Sequence, residues 1–251
     1  MLPFCSVLGL YRYPVKSMGG EEVEQVYVTG DGFEGDRVYA VLDLETGTAA
    51  SAKNMARFGS LLNVKASLSR DGLTLVFPDG RKCGLSEATA LLSSYLGRRV
   101  VLVRNGGQAL RFIGLDVSYE TGSTTYFEKQ GMTRAGSYHD SAPVHIMTAE
   151  TLQANGLGMD ELCRFRPNLL TDFDGELTPG TVLEVGDAAL RVTKPTKRCI
   201  MVTLPQQTLA YNPEILKNLL QLHGGVAGVY AEVVREGWVS RGDRIRIYSS
   251  P

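Results

Sequence analysis

One cysteine in the second half of the chain has basic neighbours. Cys199 lies in the segment KPTKRCIMVT, where it follows Lys194, Lys197 and Arg198. Nearby positive charge favours the thiolate form of a cysteine, and the thiolate is the form that binds soft metals or attacks electrophiles. A buried structural cysteine at the start of a strand is the alternative, because free cysteine is among the residue types most often buried. The segment therefore predicts a metal-binding or reactive thiolate and leaves the structural role open.

Two arginines lie close together in RFRPN, residues 164–168. The planar fork of an arginine suits a phosphate, and the amide of Asn168 can donate to and accept from a heterocycle. A surface arginine pair that closes a helix before a strand explains the segment as well. Taken alone, the segment favours this second interpretation.

Two segments in the first forty residues also end in side chains that could bind an oxyanion. YPVKS ends a predicted strand in Lys16 and Ser17, and GDGFEGDR ends a glycine-rich turn in Arg37. A hairpin turn needs such glycines in any case, and GDGFEG is neither a Walker loop nor a dinucleotide fingerprint. The glycines by themselves therefore do not indicate phosphate binding.

The other chemistry-bearing residues exclude several classes of site. His139, His145 and His223 lack metal-ligand spacing, and no HExxH motif, GxSxG motif or carboxylate pair stands out, so hydrolase chemistry has no support. His145, in PVHIMT, is predicted to be a core histidine on a strand. The four cysteines form no CxxC pair, which argues against a zinc site, an iron–sulfur cluster or a disulfide scaffold. A reducing compartment, the cytoplasm, is expected.

Composition and charge limit the partners. The 26 basic and 27 acidic residues give a formal charge of -1, so we expect no overall attraction to nucleic acid or to an anionic membrane. The apolar N-terminal run lacks a basic leader and a small-residue cleavage site, and no stretch approaches the roughly 18 apolar residues of a membrane helix. We therefore expect a soluble protein without a membrane span, in which any anion site is local.

The first hundred residues predict a β-rich module. VEQVYVT, RVYAVLDL, LLNVKASLS and LTLVFP are rich in β-branched and aromatic residues and are separated by turn signals. SEATALLSSYLG predicts a closing helix, with Ser86 as the N-cap and Gly97 at its end. The strand RRVVLVR then leads to an Asn-Gly-Gly sequence at residues 105–107, the best boundary in the chain. We therefore predict two parts, residues 1–106 and residues 107–251.

The second part has a mixed pattern. Residues 108–141 are polar, rich in Gly and Thr and weakly periodic, and they predict long surface loops. TAETLQANGL predicts a helix capped by Thr148, and NPEILKNLLQLHGG predicts a helix capped by Asn212. Most of RPNLLTDF, TVLEVG, AALRVT, VAGVYAEVV and DRIRIYS predict strands. Helices do not alternate with strands, so the predicted fold class is α+β and β-dominated, a barrel or sandwich in two packed parts.

Seven segments of the chain, taken in order, resemble the MOSC domain family with its N-terminal MOSC β-barrel module. They are YPVKS, GDR, HIMTAETL, FRPN, RC, GVYAEVV and RGDRIRI. Each is weak alone, but their fixed order around Cys199 is specific, and the resemblance covers nearly the whole chain. The well-understood proteins that the chain most resembles are the mitochondrial amidoxime reducing component and its bacterial counterparts. The resemblance implies a β-barrel MOSC core packed with the N-terminal β-rich module.

The resemblance also implies a cofactor, a pyranopterin dithiolene that carries molybdenum (Mo-molybdopterin). Cys199 matches the single cysteine that completes the sulfur ligands of the metal. Residues of both parts match the family positions that hold the cofactor's phosphate and pterin amides, so we expect the cofactor in the cleft between the parts. These residues are Lys16, Ser17, Arg37, Thr148, Thr151, Arg166, Asn168 and Arg198. A family-level association with pyridoxal phosphate binding follows from the same resemblance.

The activity that the resemblance implies is reduction of N-hydroxylated or N-oxygenated small molecules by a molybdenum-dependent oxidoreductase with Cys199 as its catalytic residue. A separate flavoprotein, ferredoxin or cytochrome would supply the electrons. The relatives usually follow RC with Thr-Thr-Val-Asp-Pro, whereas this chain has IMVTLP without the aspartate, which puts the substrate end of the pocket in doubt. Thr151 stands where the relatives often have serine. The alternative function is a carrier that holds the cofactor or transfers sulfur through a persulfide of Cys199.

Overall fold

A computed structural model describes residues 4–120 and 123–248 of the chain, and these residues are mainly β-structure. The strands are β1 (Phe4–Arg12), β2 (Glu21–Val23), β3 (Gln25–Thr29), β4 (Gly32–Phe33), β5 (Tyr39–Asp43), β6 (Thr48–Ala49), β7 (Lys65–Ser69), β8 (Gly72–Val76), β9 (Lys82–Cys83), β10 (Val100–Arg104), β11 (Arg111–Glu120), β12 (Ser123–Met132), β13 (Val144–Thr148), β14 (Leu169–Thr171), β15 (Val182–Val185), β16 (Ala188–Lys197), β17 (Val226–Arg235), β18 (Gly237–Ser240) and β19 (Arg244–Tyr248). The helices are α1 (Met55–Phe58), α2 (Leu85–Leu96), α3 (Ala149–Ala154) and α4 (Glu214–His223), with 3₁₀ helices at Gly59–Asn63, Met159–Arg164 and Ile200–Thr203. None of the helices in these described ranges has the length and apolar character needed to cross a membrane.

Seven strands close into a barrel. Their order is β14, β13, β17, β16, β15, β19 and β1, and β1 pairs with β14 to complete the circle. Alternate side chains along the strands point inwards and fill the interior, where Leu10, Ile146 and Leu190 are completely buried. The predicted fold class, β-dominated with a barrel core, is confirmed.

The N-terminal part has its own core. One sheet has the order β10, β5, β6, β11 and β12, and a separate sheet of β7, β8 and β9 packs against α2. Ala88 and Leu92 of α2 are buried in this core. Gly97 ends α2 in the left-handed conformation, as predicted. Ser86 is not the N-cap, because the helix already begins at Leu85.

The long surface loops predicted for residues 108–141 are wrong over most of that range. β11 and β12 form a hairpin in continuous register. Residues 113–120, IGLDVSYE, alternate apolar or aromatic residues with glycine or polar ones, which is a strand signal that the Gly- and Thr-rich surroundings obscured. Backbone hydrogen bonds along two ten-residue strands hold the hairpin together. The hairpin joins the N-terminal sheet where Phe112 lies opposite Ala49 of β6.

Strands cross the boundary expected at residues 105–107 in both directions. β1 comes from the first part of the chain and lies in the barrel between β14 and β19. β11 and β12 come after the expected boundary and lie in the N-terminal sheet. Each part therefore contributes strands to the sheet of the other.

The remaining predicted elements form, with shifted ends. The strand predicted over LLNVKASLS begins only at Lys65, because Leu61 and Leu62 turn into the core as part of a 3₁₀ helix. α3 begins after Thr148, whose side chain caps it as predicted. α4 begins at Glu214 with Pro213 as its N-cap, so the predicted cap Asn212 lies one residue too early, although its side chain accepts the backbone N–H of Glu214 at 3.2 Å.

Candidate functional site

A cavity of about 720 Å³ opens where the barrel meets the N-terminal part, a size typical of small-molecule sites. Seven of the nine residues predicted to form a site line it. They are Lys16, Ser17, Arg37, Arg166, Asn168, Arg198 and Cys199. Residues far apart in the sequence, from both parts of the chain, therefore meet at one place.

The other two predicted residues do not line the cavity. The Oγ1 atom of Thr148 accepts the backbone N–H of Thr151 at 3.1 Å and lies 2.9 Å from the Oγ1 atom of Thr151. These bonds cap the start of α3. Thr148 and Thr151 do not line the cavity, so their expected contact with the cofactor stays a prediction.

Three residues of the cavity have a strained backbone. Ser17, Arg37 and Arg166 have φ values of 63°, 52° and 56°, in the left-handed region that residues other than glycine seldom adopt. Among the described residues, Gln207 is the one other non-glycine residue with a positive φ. Each such conformation costs on the order of 1–3 kcal/mol and persists only when its surroundings enforce it. Their concentration at one cavity makes this place a candidate functional site.

Asp36, a residue that sequence reasoning missed, holds several of these side chains in place. It is buried, with 1% of its surface exposed. Its carboxylate accepts the backbone N–H of Tyr13 at 2.6 Å, the side-chain amide of Asn168 at 3.0 Å and the guanidinium of Arg37. The GDR turn placed Asp36 beside Arg37, but no sequence signal gave its contact with Asn168.

The amide of Asn168 is almost fully engaged with the protein. Its Nδ2 atom donates to Asp36 and, at 3.2 Å, to the carbonyl of Tyr11. Its Oδ1 atom accepts the backbone N–H of His145 at 3.1 Å. One lone pair of Oδ1 is left for a ligand. Asn168 therefore positions the strands around the cavity more than it offers groups to a bound molecule.

Tyr13 provides an aromatic surface for two arginines. Its ring centre lies 5.0 Å from the guanidinium carbon of Arg37 and 4.3 Å from that of Arg166, within the range of cation–π contacts. The Nη1 atom of Arg166 also donates to the carbonyl of Met18. Burial, together with the nearby charge of Arg37, lowers the pKa of Arg166 to about 10. Arg166 therefore remains a cation at neutral pH.

Two buried guanidinium nitrogens of residues that line the cavity have no hydrogen-bond partner among the described residues. They are the Nη2 atom of Arg166 and the Nε atom of Arg198. Arg198 is anchored by its Nη2 atom, which donates to the carbonyl of Phe165 at 2.7 Å. A buried N–H group without a partner costs about 1–3 kcal/mol, and an anion bound beside it removes that cost. The donors in this cavity therefore fit a phosphate group.

Cys199 lies where β16 ends and the 3₁₀ helix Ile200–Thr203 begins. It is partly exposed, and of the four cysteines, all of which the structure describes, it is the one that lines the cavity. Cys5 and Cys83 are buried, and burial raises the pKa of both thiols. Burial also raises the pKa of Cys163. The position of Cys199 fits an accessible ligand rather than a buried structural residue.

No group of three or more His, Cys, Asp or Glu side chains in residues 4–120 and 123–248 is arranged to hold a metal ion. A metal bound at Cys199 would therefore take further ligands from a bound organic group. A dithiolene supplies two such ligands as sulfurs, which suit the same soft metals as a thiolate does.

Sequence reasoning also missed a cluster on the wall of the cavity, which we call the lysine cluster: Lys16, Lys53, Phe112 and Asp140. The ammonium group of Lys16 pairs with one oxygen of Asp140, and that of Lys53 lies 2.9 Å from the other. Burial favours the protonated form of Asp140, but the two ammonium groups outweigh it and hold the pKa of the carboxyl well below its usual range. Burial lowers the pKa of Lys16. Of these residues, only Lys16 belongs to a segment that sequence reasoning singled out.

Two buried histidines line the cavity as neutral imidazoles. Burial, with Arg37 nearby, lowers the pKa of His139 to about 3. Burial, with Arg198 nearby, lowers the pKa of His145 to about 3. His145 lies on β13 with 4% of its surface exposed, so the predicted core histidine on a strand is confirmed.

Arg164 and Arg166 are not the surface pair that was the alternative for RFRPN, because both are buried. The guanidinium of Arg164 donates to the carbonyls of Leu204 at 2.9 Å and Ala210 at 2.7 Å. The two arginines, two residues apart in the chain, thus have different surroundings. Arg164 donates hydrogen bonds to the segment after Cys199, whereas the Nη2 atom of Arg166, a residue that lines the cavity, has no partner in the described part of the chain.

The fold and the cavity define a class of protein, a β-barrel with a cleft that fits a phosphate-bearing small molecule beside one accessible thiol. Two family comparisons make the assignment specific. The family described as MOSC N-terminal beta barrel domain matches residues 4–106, and the MOSC domain matches residues 133–246. The chain belongs to the MOSC family, as its sequence segments predicted. This family is associated with binding of the molybdenum cofactor.

One solved structure has a similar fold. The chain is similar to the YUAD protein from Bacillus subtilis, with a TM-score of 0.51 and 14% identity over 100% of this chain and 99% of that one. It also matches YiiM from Geobacillus stearothermophilus, with a TM-score of 0.36 and 13% identity over 74% of this chain and 72% of that one. At 14% identity, the likeness to YUAD concerns the fold alone. No curated protein matches the chain.

Proposed function

We propose that the cavity binds a molybdenum cofactor and that Cys199 is the protein's sulfur ligand to the metal. One observation carries the proposal: unpartnered guanidinium N–H groups and a partly exposed cysteine line the same cavity. Arginine forks suit phosphate, and thiolates suit soft metals. Membership of a family associated with this cofactor supports the same conclusion.

The arginines have the main binding role in this proposal. Arg37, Arg166 and Arg198 hold the phosphate of the cofactor, while Asp36 and Asn168 keep Arg37 and the surrounding strands in position. The enforced backbone at Arg37 and Arg166 means that their side chains are aimed before the ligand arrives. Such preorganisation lowers the cost of ordering the site on binding.

We propose further that the protein is an oxidoreductase that reduces N-hydroxylated or N-oxygenated small molecules. Reduction of an N–OH compound consumes two electrons and two protons and releases the N–H product and water. The cofactor, when bound, supplies the two-electron chemistry. The imidazoles of His139 and His145 are neutral at pH 7, so they do not supply these protons.

The electrons come, in this proposal, from a separate protein. A flavoprotein, a ferredoxin or a cytochrome would each serve. The open side of the cavity, where Lys194 and Lys197 are exposed, is the place at which a redox partner can approach Cys199.

The test is chemical analysis of the protein purified from a host that makes the molybdenum cofactor. We expect molybdenum and pterin to be present, with a thiolate-to-molybdenum absorption band and oxidation of a reduced dye when benzamidoxime is added. Cys199→Ser should keep part of the pterin through the arginines but lose the band and the turnover, because a hydroxyl is a poor ligand for this metal. Cys163→Ser is the matched control and should behave as the wild type.

Two other outcomes would decide between alternatives. Molybdenum binding without dye oxidation by any N-hydroxylated compound would favour a cofactor or sulfur carrier. Mass spectrometry of the released organic group separates pterin from pyridoxal phosphate, and finding only the latter would reject the proposal. A Cys199→Ser protein with the wild-type spectrum and activity would reject the ligand assignment.

A further inference from the structure

The lysine cluster has a charge that its own pairing leaves unbalanced. Two ammonium groups, those of Lys16 and Lys53, share the single carboxylate of Asp140. Both also lie over the ring of Phe112, at 4.5 Å and 5.1 Å from its centre. Each ammonium has three N–H donors, so the carboxylate and the ring face do not use them all. The cluster therefore keeps one net positive charge and spare donors.

The spare charge is accessible from the cavity. The side chain of Lys53 is 24% exposed, whereas that of Lys16 is 5% exposed. Lys53 is therefore the member of the pair that can contact a ligand. Lys16 is buried and pairs with Asp140, the same carboxylate that Lys53 contacts.

The rest of the cavity wall has the same sign of charge. Lys129, Lys194 and Lys197 line it together with the lysine cluster. Asp140 is the one acidic side chain among the lining residues that the structure describes. A cavity wall with charges mainly of one sign raises the local concentration of molecules of the opposite charge. In the proposed function the three arginines account for the cofactor's phosphate, so Lys53 is left for a second anion.

The backbone fixes Lys53 in its place. Its carbonyl accepts the N–H of Leu115 from β11 at 3.0 Å. On its other side, the N–H of Ala52 donates to the hydroxyl of Ser17 at 3.0 Å. A side chain at Gly114 would put its Cβ atom 2.5 Å from the Cβ atom of Lys53, so the glycine lets β11 pack closely against the lysine. Lys53 is thus held in position without a ligand.

We infer that the substrate of this cavity carries a carboxylate, which binds at the lysine cluster through Lys53. The inference rests on the proposed function and names its substrate class, N-oxygenated compounds that bear a carboxylate. The carboxylate accepts charge-assisted hydrogen bonds from the ammonium group, and the N–OH group is left to point towards the wall that contains Cys199.

A binding experiment, which needs no enzymatic turnover, tests the proposed carboxylate site at Lys53. Calorimetry on the protein as purified compares benzoate with benzamide, which share a ring and differ in charge. We expect benzoate to bind about tenfold more tightly or better, as a hydrogen bond to a charged group implies, with the difference shrinking in high salt. Lys53→Gln should abolish the preference and Lys53→Arg should retain it. The exposed Lys82, outside the cavity, gives the control variant Lys82→Gln, which should bind as the wild type.

Equal binding of benzoate and benzamide, or a preference that survives Lys53→Gln and disappears in Arg166→Ala, would overturn the inference. Turnover gives an independent measurement. The ratio of kcat/KM for 4-carboxybenzamidoxime to that for benzamidoxime should fall about tenfold in Lys53→Gln. If neither compound is reduced while the benzoate preference stands, the proposed reductase function fails and the carboxylate site remains.

Discussion

The side-chain amide of Asn168 meets the carboxylate of Asp36 at 3.0 Å, with both residues almost completely buried. This hydrogen bond joins the glycine-rich turn of the N-terminal part to the segment that leads into β14 of the barrel. The same carboxylate orients Arg37. One buried acidic group therefore sets both the interface between the two parts and the direction of a cavity arginine.

Asp36→Asn should weaken both the fold and ligand retention. The amide that replaces the carboxylate brings N–H donors against groups that are themselves donors, so at least one buried partner loses its acceptor. We expect the free energy of unfolding to drop by about 1–3 kcal/mol, measured by urea denaturation of the ligand-free protein. Pterin content after purification should drop as well. Asp79→Asn, at an exposed ion pair with Arg81, should change neither value, and an equal loss there would point to a general charge effect.

Replacement of Arg166 should separate ligand binding from backbone strain. Arg166→Ala and Arg166→Gly both remove the buried cation and should lose pterin to a similar degree. Glycine adopts the φ of 56° without a Cβ penalty, so Arg166→Gly should be more stable than Arg166→Ala by about 1 kcal/mol in urea denaturation. If alanine were the more stable replacement, the backbone there would not be strained.

Arg164→Ala is the contrasting change two residues away. It leaves the carbonyls of Leu204 and Ala210 without their donor, so we expect a larger loss of stability than for Arg166→Ala. The same denaturation series measures it. A stable Arg164→Ala protein with low pterin content would instead give Arg164 a binding role.

Stability should fall as the pH drops below about 6.5. His139 and His145 have pKa values of about 3 in the folded protein because they are buried, whereas an unfolded histidine has a pKa near 6.5. Between these values the unfolded chain binds more protons, so the free energy of unfolding decreases as pH decreases, by up to about 1.4 kcal/mol per pH unit for each histidine. The depressed pKa of Asp140 acts only at lower pH, below about 4.

Urea denaturation at about pH 7 and about pH 5 measures this loss. His139→Gln should reduce the difference between the two conditions, and the exposed His223→Gln should not. Equal stability of the wild type at both pH values would mean that the buried imidazoles are not kept neutral by the fold.

A fragment of residues 108–251 should not retain the cofactor. It lacks Lys16, Ser17 and Arg37, and it also lacks β1, without which the barrel has a gap between β14 and β19. We therefore expect a protein with low cooperativity in thermal unfolding and no bound molybdenum. Full molybdenum content in the fragment would contradict the cavity assignment, and the same fragment co-expressed with residues 1–107 offers a test for rescue.

Sequence reasoning found the parts of this protein that have a local signature. The β-branched and aromatic residues between turn signals predicted β5 and β8, and Gly97 predicted the end of α2. The segments around Arg37, Arg166 and Cys199 resemble a known family, which led to the residues that line the cavity.

The parts that sequence reasoning missed depend on contacts between distant residues. Asp140 forms ion pairs with Lys16 and Lys53, which lie in other segments of the chain. The hairpin of β11 and β12 was missed because the polar, Gly- and Thr-rich sequence of residues 108–141 outweighed the alternation in residues 113–120. The predicted cap of α3 by Thr148 forms, while the cofactor contact that the resemblance implies for Thr148 stays a prediction.

The place of β1 in the barrel also sets the order in which the molecule can assemble. Cys5 of β1 lies opposite Ile245 of β19, 240 residues further along the chain. During synthesis the first strand leaves the ribosome long before its partner exists, so the barrel stays open until residues 244–248 have emerged. Closing so long a loop costs chain entropy, and folds rich in such distant pairings form slowly. The cavity, which needs the closed barrel, is therefore complete only after residues 244–248 have been made, and any cofactor must be inserted after that point.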